Sequence, residues 1–250
     1  MTAEDPPAFA SLASYRERSD VPTPLGHWIM GQRWEDLLFL SWPIDAARLR
    51  PFVSDAVDID SFDGNAWVSV VPFWMEDAHF RGLPPIPYLS SFPEVNVRTY
   101  VSAGGHRAVW FLSLDTQSHI NVFLARHAFH LPYVYADVEM SRGDEFAFRS
   151  ERPGGGGAVD ITYRGEGPEA IPAVGTLRHF LTERYSLMCA SHEGKLYRGD
   201  IQHAPWRLRD ASWTAKRMEL LTPLGLEAGG DPVAFYAAST DVVLWPLVRM

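Results

Sequence analysis

The chain has a single cysteine, Cys189, so no intrachain disulfide framework holds its fold. That residue lies in the apolar run Tyr185-Ser186-Leu187-Met188-Cys189-Ala190 and reads as a buried, inert thiol. Lysine is almost as scarce: of 22 basic residues, only Lys195 and Lys216 are lysines, so any lysine chemistry has those two candidates. No apolar run approaches the length of a membrane span, which argues against a membrane partner. The start, Met1-Thr2-Ala3-Glu4-Asp5, is acidic and lacks the apolar core of a signal peptide, so a cytoplasmic location is expected. The net charge of -9 leaves no basic reservoir for phosphates, and nucleic-acid binding is not expected.

Several catalytic signatures are also missing. There is no Gly-X-Ser-X-Gly elbow, which disfavours a standard α/β-hydrolase. No Gly-X-Gly-X-X-Gly joins a strand to a helix, which disfavours dinucleotide binding. Gly154 to Gly157 are four consecutive glycines, but no Gly-Lys-Ser or Gly-Lys-Thr follows them; they read as a hairpin tip. Nine histidines are present without a His-Glu-X-X-His motif or other ligand spacing, so neither a metal nor a cofactor is expected. The acid pairs Glu35-Asp36 and Glu76-Asp77 read as element boundaries rather than as a general acid and base. No repeat, internal linker or low-complexity tract is found.

What is present is a core-rich composition: 46% hydrophobic residues, with nine Trp, nine Tyr and fourteen Phe, in 250 residues. Residues 1–24, punctuated by Pro6, Pro7, Pro22 and Pro24, read as a flexible leader with a short central helix, and 25–250 as one folded domain. Leu37 to Trp42 reads as a buried strand ended by Pro43, and Ile44 to Phe52 as a short helix capped by Asp45. Val57 to Phe62 and Ala66 to Phe73 flank Asp63-Gly64, a strong hairpin signal because both turn residues tolerate positive φ. Trp74 to Tyr88, rich in proline, reads as a long covering loop. Val109 to Leu114 reads as a strand antiparallel to the one before it. Ser118 to His130 reads as a helix capped by Ser118 and closed by Pro132. Three strands then form a meander to Arg164, a short helix follows Thr176, and alternating strands complete the chain. Long strands with few helices define a β-rich α+β domain, closed or nearly closed as a barrel.

The chemistry concentrates in Glu94-Val95-Asn96-Val97-Arg98-Thr99-Tyr100-Val101. A strand has a side-chain period of two, so Glu94, Asn96, Arg98 and Tyr100 share one face while Val95, Val97 and Val101 share the other. An acid, an amide, a guanidinium and a phenol in line suit a pocket wall. The bland alternative is a solvated face or a buried polar network. Glu94 is the candidate catalytic residue, exchanging protons if burial raises its pKa. Arg98 is the candidate anion holder, through its fork of donors. Tyr100 is a candidate donor to a carbonyl oxygen. His127, His130 and Tyr133, where the helix exits toward the next strand, are candidates to line the same opening.

Several segments resemble a known family. They are Trp34 to Pro43, Phe62 to Phe73, Phe92 to Val101, Phe129-His130-Leu131-Pro132-Tyr133, Leu196 to Ile201 and Val243-Leu244-Trp245-Pro246-Leu247, and the family is the YqjF-like group, domain of unknown function 2071. The resemblance covers nearly everything from residue 30 onward. It implies an acetoacetate decarboxylase-like fold, a double-sheet β-barrel with an internal cavity and a few short helices. It does not imply the decarboxylase reaction, in which a lysine activated by a lowered pKa forms a Schiff base, because that lysine has no counterpart here. Ala125 to Val138 contains no lysine, and arginine cannot replace an amine because it stays protonated. Glu94 resembles the acid that a decarboxylase carries on a cavity strand. The expected function is therefore action on, or binding of, a small organic acid or carbonyl compound without lysine chemistry. The alternatives are a non-catalytic ligand-binding protein and a structural or interaction protein with a filled cavity. Assembly as a homo-oligomer is left open.

Overall fold

A computed structural model gives the fold and describes residues 24, 26–227 and 229–250. The leader and its expected short helix lie outside the described residues, apart from Pro24. Among the described residues there are fourteen strands and three short α-helices. The first strand, β1 (Met30–Ile44), pairs antiparallel with β3 (Ala66–Phe80), which pairs with β4 (Phe92–Ala103), which pairs with β5 (His106–Thr116). From β5 the path continues through β10 (Ser186–Ala190) to β11 (Leu196–His203), which pairs with β13 (Val233–Leu244), itself bonded to β1. The pairings thus close a circuit of strands. A second run, β12 (Leu208–Met218), β9 (Ala158–Ala170), β8 (Phe146–Glu151) and β7 (Asp137–Ser141), extends from β13 and carries the expected meander. The strand-rich α+β expectation is met.

The period-two pattern sorts side chains to opposite sides of the β1-β3-β4 layer. Leu38, Leu40, Val68, Val70, Val95 and Val97 pack on one side against Val138, Phe148 and Ile161 of the meander. Leu37, Phe39, Val71, Phe73 and Phe92 face the other side. Val95 and Val97 are fully buried, and each side chain contributes about 1.5–3 kcal/mol by leaving water. A slip of one residue in β4 would exchange these valines for Asn96 and either Glu94 or Arg98, so the core itself fixes the register.

Three local expectations needed correction. Strand β1 runs to Ile44, and Pro43 sits within its end, exposed and opposite Trp67. Strand β3 does not stop at Phe73 but continues to Phe80, so the covering loop begins only at Arg81. The Asp63-Gly64 turn forms as expected, with φ of 49° and 79°, but the short strand before it, β2 (Asp58–Ile59), pairs with β4 and not with β3. Local turn chemistry was readable; the partner, set by long-range packing, was not.

The two acid pairs also lie inside strands and not at their boundaries. Between Glu35 and Leu40 of β1 the ladder advances five residues against four on β3. Asp36 takes up the difference with φ of 53°. Between Gly31 and Arg33 the extra residue is on β3, and Asp77 there also has φ of 53°. Aspartate tolerates this left-handed geometry better than most residues, which suits it to a bulge. The first bulge explains how a central strand accommodates Pro72, which falls where the regular β1–β3 pairing is interrupted. Asp36 is then anchored: its carbonyl accepts from Tyr163 Oη at 2.6 Å and its carboxylate from Tyr236 Oη at 2.9 Å.

The expected caps are observed. Helix α1 (Ala46–Leu49) has Asp45 accepting from the Ala47 amide, α2 (His119–Ala128) has Ser118 accepting from Asn121, and α3 (Leu177–Thr182) has Thr176 accepting from His179. No helix of the described residues is long and apolar enough to cross a membrane.

Candidate functional site

Strand β4 forms one wall of a cavity of about 260 Å³. Glu94, Asn96 and Arg98 all line it, as the alternation requires, and they are 2%, 6% and 8% exposed. The β4–β5 ladder has an irregularity between Val97 and Arg98, where Leu112 is the extra residue on β5. Strand β4 therefore keeps its own period through the site. The rest of the lining is mainly apolar and includes Trp34, Phe73, Phe111, Leu187 and Trp206.

Among the described residues Glu94 has one side-chain hydrogen-bond partner. Tyr133 Oη donates to its Oε2 at 2.9 Å. Tyr133 belongs to β6 (Tyr133–Tyr135), a strand missed in the sequence, which pairs parallel with β5 and brings the phenol alongside β4. Burial pushes the Glu94 carboxyl up to about 8; the Tyr133 hydrogen bond opposes this and the charge of Asp115 reinforces it. Tyr133, half-buried as a whole with its hydroxyl turned inward, is itself raised by desolvation and then by Glu94. At neutral pH the pair is mostly a carboxylic acid accepting from a phenol. A protonated carboxyl retains an O–H to donate.

Arg98 is held without a counter-charge. Its Nη2 donates to the Leu181 carbonyl at 3.1 Å, and its guanidinium lies over the rings of Phe39 and Tyr100, at 5.3 and 5.8 Å. Among the described residues no carboxylate lies within ion-pair distance of it, and its Nε has no hydrogen-bond partner. Two other cavity residues carry buried polar atoms in the same condition, Asn96 at Oδ1 and Trp206 at Nε1. Such atoms are costly to leave unmatched, and three around one cavity form a ready set of contacts for a polar ligand.

The other candidates are distributed differently. Tyr100 does not line the cavity; it is fully buried behind Arg98, where its hydroxyl donates to the same Leu181 carbonyl at 2.9 Å and meets Ser69 Oγ at 2.8 Å. His127 is exposed, stacks on Phe123 and turns Nδ1 to the Phe123 carbonyl at 2.8 Å, so it is outside the site. His130 falls beyond the end of α2 with φ of 53° and lines a separate hollow of about 220 Å³ with Trp110 and Cys189. The helix expected to run to His130 ends at Ala128, so the two histidines part ways and do not line one opening. Cys189 is pushed up to about 12 by burial, in keeping with an inert thiol.

Sequence reasoning missed Trp206 and His203. Trp206 stacks on Trp34 and packs against Phe39, and His203 packs on Trp206 with its pKa lowered first by burial, with the charge of Arg98 adding to the effect. Nothing near Pro205 in the sequence signals a site; only the β11–β13 closure brings Trp206 to the cavity, with His203 packed on it. Asn96 could have been found, since it shares the face of Glu94 and Arg98. Both lysines lie away from the cavity: Lys195 is exposed and paired with Glu193, and Lys216 is exposed on β12. Among the described residues no group of His, Cys, Asp and Glu is placed to hold a metal ion.

The fold is that of acetoacetate decarboxylase-like proteins. It is similar to the enduracididine biosynthesis enzyme MppR complexed with pyruvate, with a TM-score of 0.65, 11% identity and 93% of each chain covered. It is also similar to an acetoacetate decarboxylase-like enzyme from Sphingomonas wittichii RW1, with a TM-score of 0.64, 12% identity and coverage of 92% of this chain and 96% of that one. Acetoacetate decarboxylase from Legionella pneumophila superposes with a TM-score of 0.63 at 10% identity, over 94% and 93% of the two chains. Within that class the chain belongs to the DUF2071 family, described as an uncharacterized conserved protein, whose model matches residues 31–241. It is 37% identical to the uncharacterized protein YqjF of Bacillus subtilis (strain 168) over 234 residues, 92% of this chain and 96% of that protein.

Proposed function

We propose that the cavity takes a small organic acid or carbonyl compound, with Arg98 as the anion anchor and the Glu94–Tyr133 pair as the proton-handling group. The observation that carries this reading is the buried guanidinium of Arg98, which lines the cavity and, among the described residues, is paired with no carboxylate. A ligand carboxylate would supply the missing counter-charge and accept from Nε, which makes the contact charge-assisted and strong in a low-dielectric site. Glu94 and Arg98 are four residues apart on one strand, so their Cα atoms are roughly 13 Å apart. Asn96 lies between them. The three groups can therefore read different parts of one molecule, the carboxylate at Arg98 and a carbonyl nearer Glu94.

With its carboxyl near 8, Glu94 exchanges between acid and base close to neutral pH, which suits proton transfer at a carbon next to a carbonyl. The distance of both lysines from the cavity favours chemistry without an iminium. That a structural neighbour of this fold is a complex with pyruvate supports a carboxylate as the class of ligand. The test is calorimetric titration with short carboxylates and keto acids, together with deuterium exchange at the carbon beside the ligand carbonyl followed by NMR. Arg98→Met is expected to weaken binding at least tenfold, and Glu94→Gln to abolish exchange while retaining binding. Binding without exchange or turnover in the unaltered protein would leave a non-catalytic ligand-binding site. Equal binding by Arg98→Met would refute the anchor.

A further inference from the structure

We infer that the ligand is a monocarboxylate with an extended apolar tail, alkyl or aryl, whose tail leaves the cavity between the loop of residues 81–91 and helix α2. The inference rests on the reading of Arg98 as the anion anchor and adds the substrate class. Its basis is a separation of chemistry along the cavity. The polar side chains of β4, Glu94, Asn96 and Arg98, are all deeply buried, whereas Ser90 and Asn121, nearer the loop and helix, are engaged in hydrogen bonds to the loop backbone and Asp200 is paired with Arg198. At the other extreme, Leu83, Ile86 and Leu124 line the same cavity and yet are 60%, 58% and 49% exposed. Side chains that line a cavity and also meet solvent mark its opening, and here they are apolar, with exposed Phe80 and Pro84 beside the leucines and isoleucine. An opening built for a short, hydrated keto acid gains nothing from such a rim. A rim of this kind loses water contact only when an apolar group passes through it.

The rim is held in place. The Asn121 side chain of α2 donates to the Leu89 carbonyl at 3.2 Å, which ties the loop to the helix. Within the loop, the Ile86 amide donates to Ser90 Oγ at 2.7 Å and the Ser90 amide to the Ile86 carbonyl at 3.0 Å. The loop also feeds directly into β4 at Phe92, so Glu94 lies toward the opening and Arg98 about 13 Å farther along the strand. An acid of about eight to ten carbons covers a comparable span. Its carboxylate would meet Arg98, its chain would run along the aromatic lining, and its end would reach Ile86 and Leu124.

The test is titration calorimetry of the full chain at pH 7 with acetate, butanoate, octanoate and 4-phenylbutanoate, all below their aggregation concentrations. Affinity is expected to rise by up to roughly fourfold per added methylene until the chain reaches the rim. The octanoate and phenylbutanoate arms separate alkyl from aryl tails. Ile86→Asp and Leu124→Asp, at exposed positions that tolerate a charge, are expected to weaken octanoate at least tenfold and leave butanoate unchanged. Arg98→Met is expected to weaken every acid. Octanoate binding no tighter than butanoate, with Arg98 still required, would overturn the tail and leave the anchor standing. Octanoate binding that survives Arg98→Met would be apolar adsorption and would overturn both, as would binding of none of these acids.

Discussion

Tyr133 donates to Glu94 at 2.9 Å, and this bond joins two strands that are not neighbours in the ladder. The phenol rides on β6, which pairs with β5, and so reaches the acid on β4 across one intervening strand. The contact holds the Glu94 oxygen in place without charging it, because a phenol lowers the carboxyl pKa less than burial raises it.

The raised carboxyl has a consequence for stability. An unfolded glutamate ionises near 4.5, whereas folded Glu94 holds its proton to about 8. Between those values the folded state binds the extra proton, so the Glu94 contribution is complete below the lower value and declines as pH rises to the upper one. Glu94→Gln removes this dependence, and its amide oxygen can still accept from Tyr133. The variant is expected to gain stability over the unaltered protein progressively from pH 5 to pH 8, by on the order of a few kcal/mol, and to hold that gain at higher pH. Urea unfolding at several pH values measures it; parallel profiles for the two proteins would mean that Glu94 is ionised in the fold.

Amine chemistry gives a second expectation. Lys195 and Lys216 are both exposed and away from the cavity. Borohydride treatment with acetoacetate, pyruvate or an aldehyde is expected to leave no site-selective adduct on either residue, as read by intact-mass and peptide mass spectrometry. Exchange of both for arginine is expected to leave ligand binding unchanged. A stoichiometric adduct on one of them, competed by a cavity ligand, would restore the iminium route.

The third concerns what holds the cavity wall from behind. Asp115 is fully buried and accepts from Arg152 Nε and Nη2, both at 2.7 Å, while Arg152 Nη2 also donates to Ser113 Oγ at 2.6 Å. This pair ties β5 to the segment after β8. Asp115→Asn leaves the Arg152 charge buried without its counter-charge and is expected to cost about 3–5 kcal/mol. Replacing both residues by apolar ones of similar volume is expected to recover much of the loss. Denaturant midpoints of the single and double variants decide this, and a single variant within 1 kcal/mol of the starting protein would show a pair of little consequence (about the worth of an exposed one).

Much of the site was legible before the fold was known. The alternation in β4 placed Glu94, Asn96 and Arg98 on one face, because a strand leaves no choice about which side chains share a side. Capping by Asp45, Ser118 and Thr176 and the turn at Asp63-Gly64 were equally local and equally readable. Tyr100 shows the limit of the same rule. It obeys the alternation, but one step farther along β4 the cavity has ended, and its hydroxyl turns to Ser69 and Leu181 instead.

By itself the sequence determined which residues can share a face, where helices begin, that no intrachain disulfide constrains the fold and that only two lysines exist. Those properties depend on side-chain period, capping and composition, which act over a few residues. The tertiary structure decided which face meets a cavity, that Tyr133 joins Glu94 while His127 and His130 stay outside, and that Trp206 comes from the far end of the chain. It also decided that Asp36 and Asp77 serve bulges in the interior of strands. These outcomes depend on the pairing of β5 with β6, the closure of β11 on β13 and the register of β1 on β3, all contacts between residues far apart in sequence. No local pattern carries that information, because the free energy that selects each pairing comes from the core it buries.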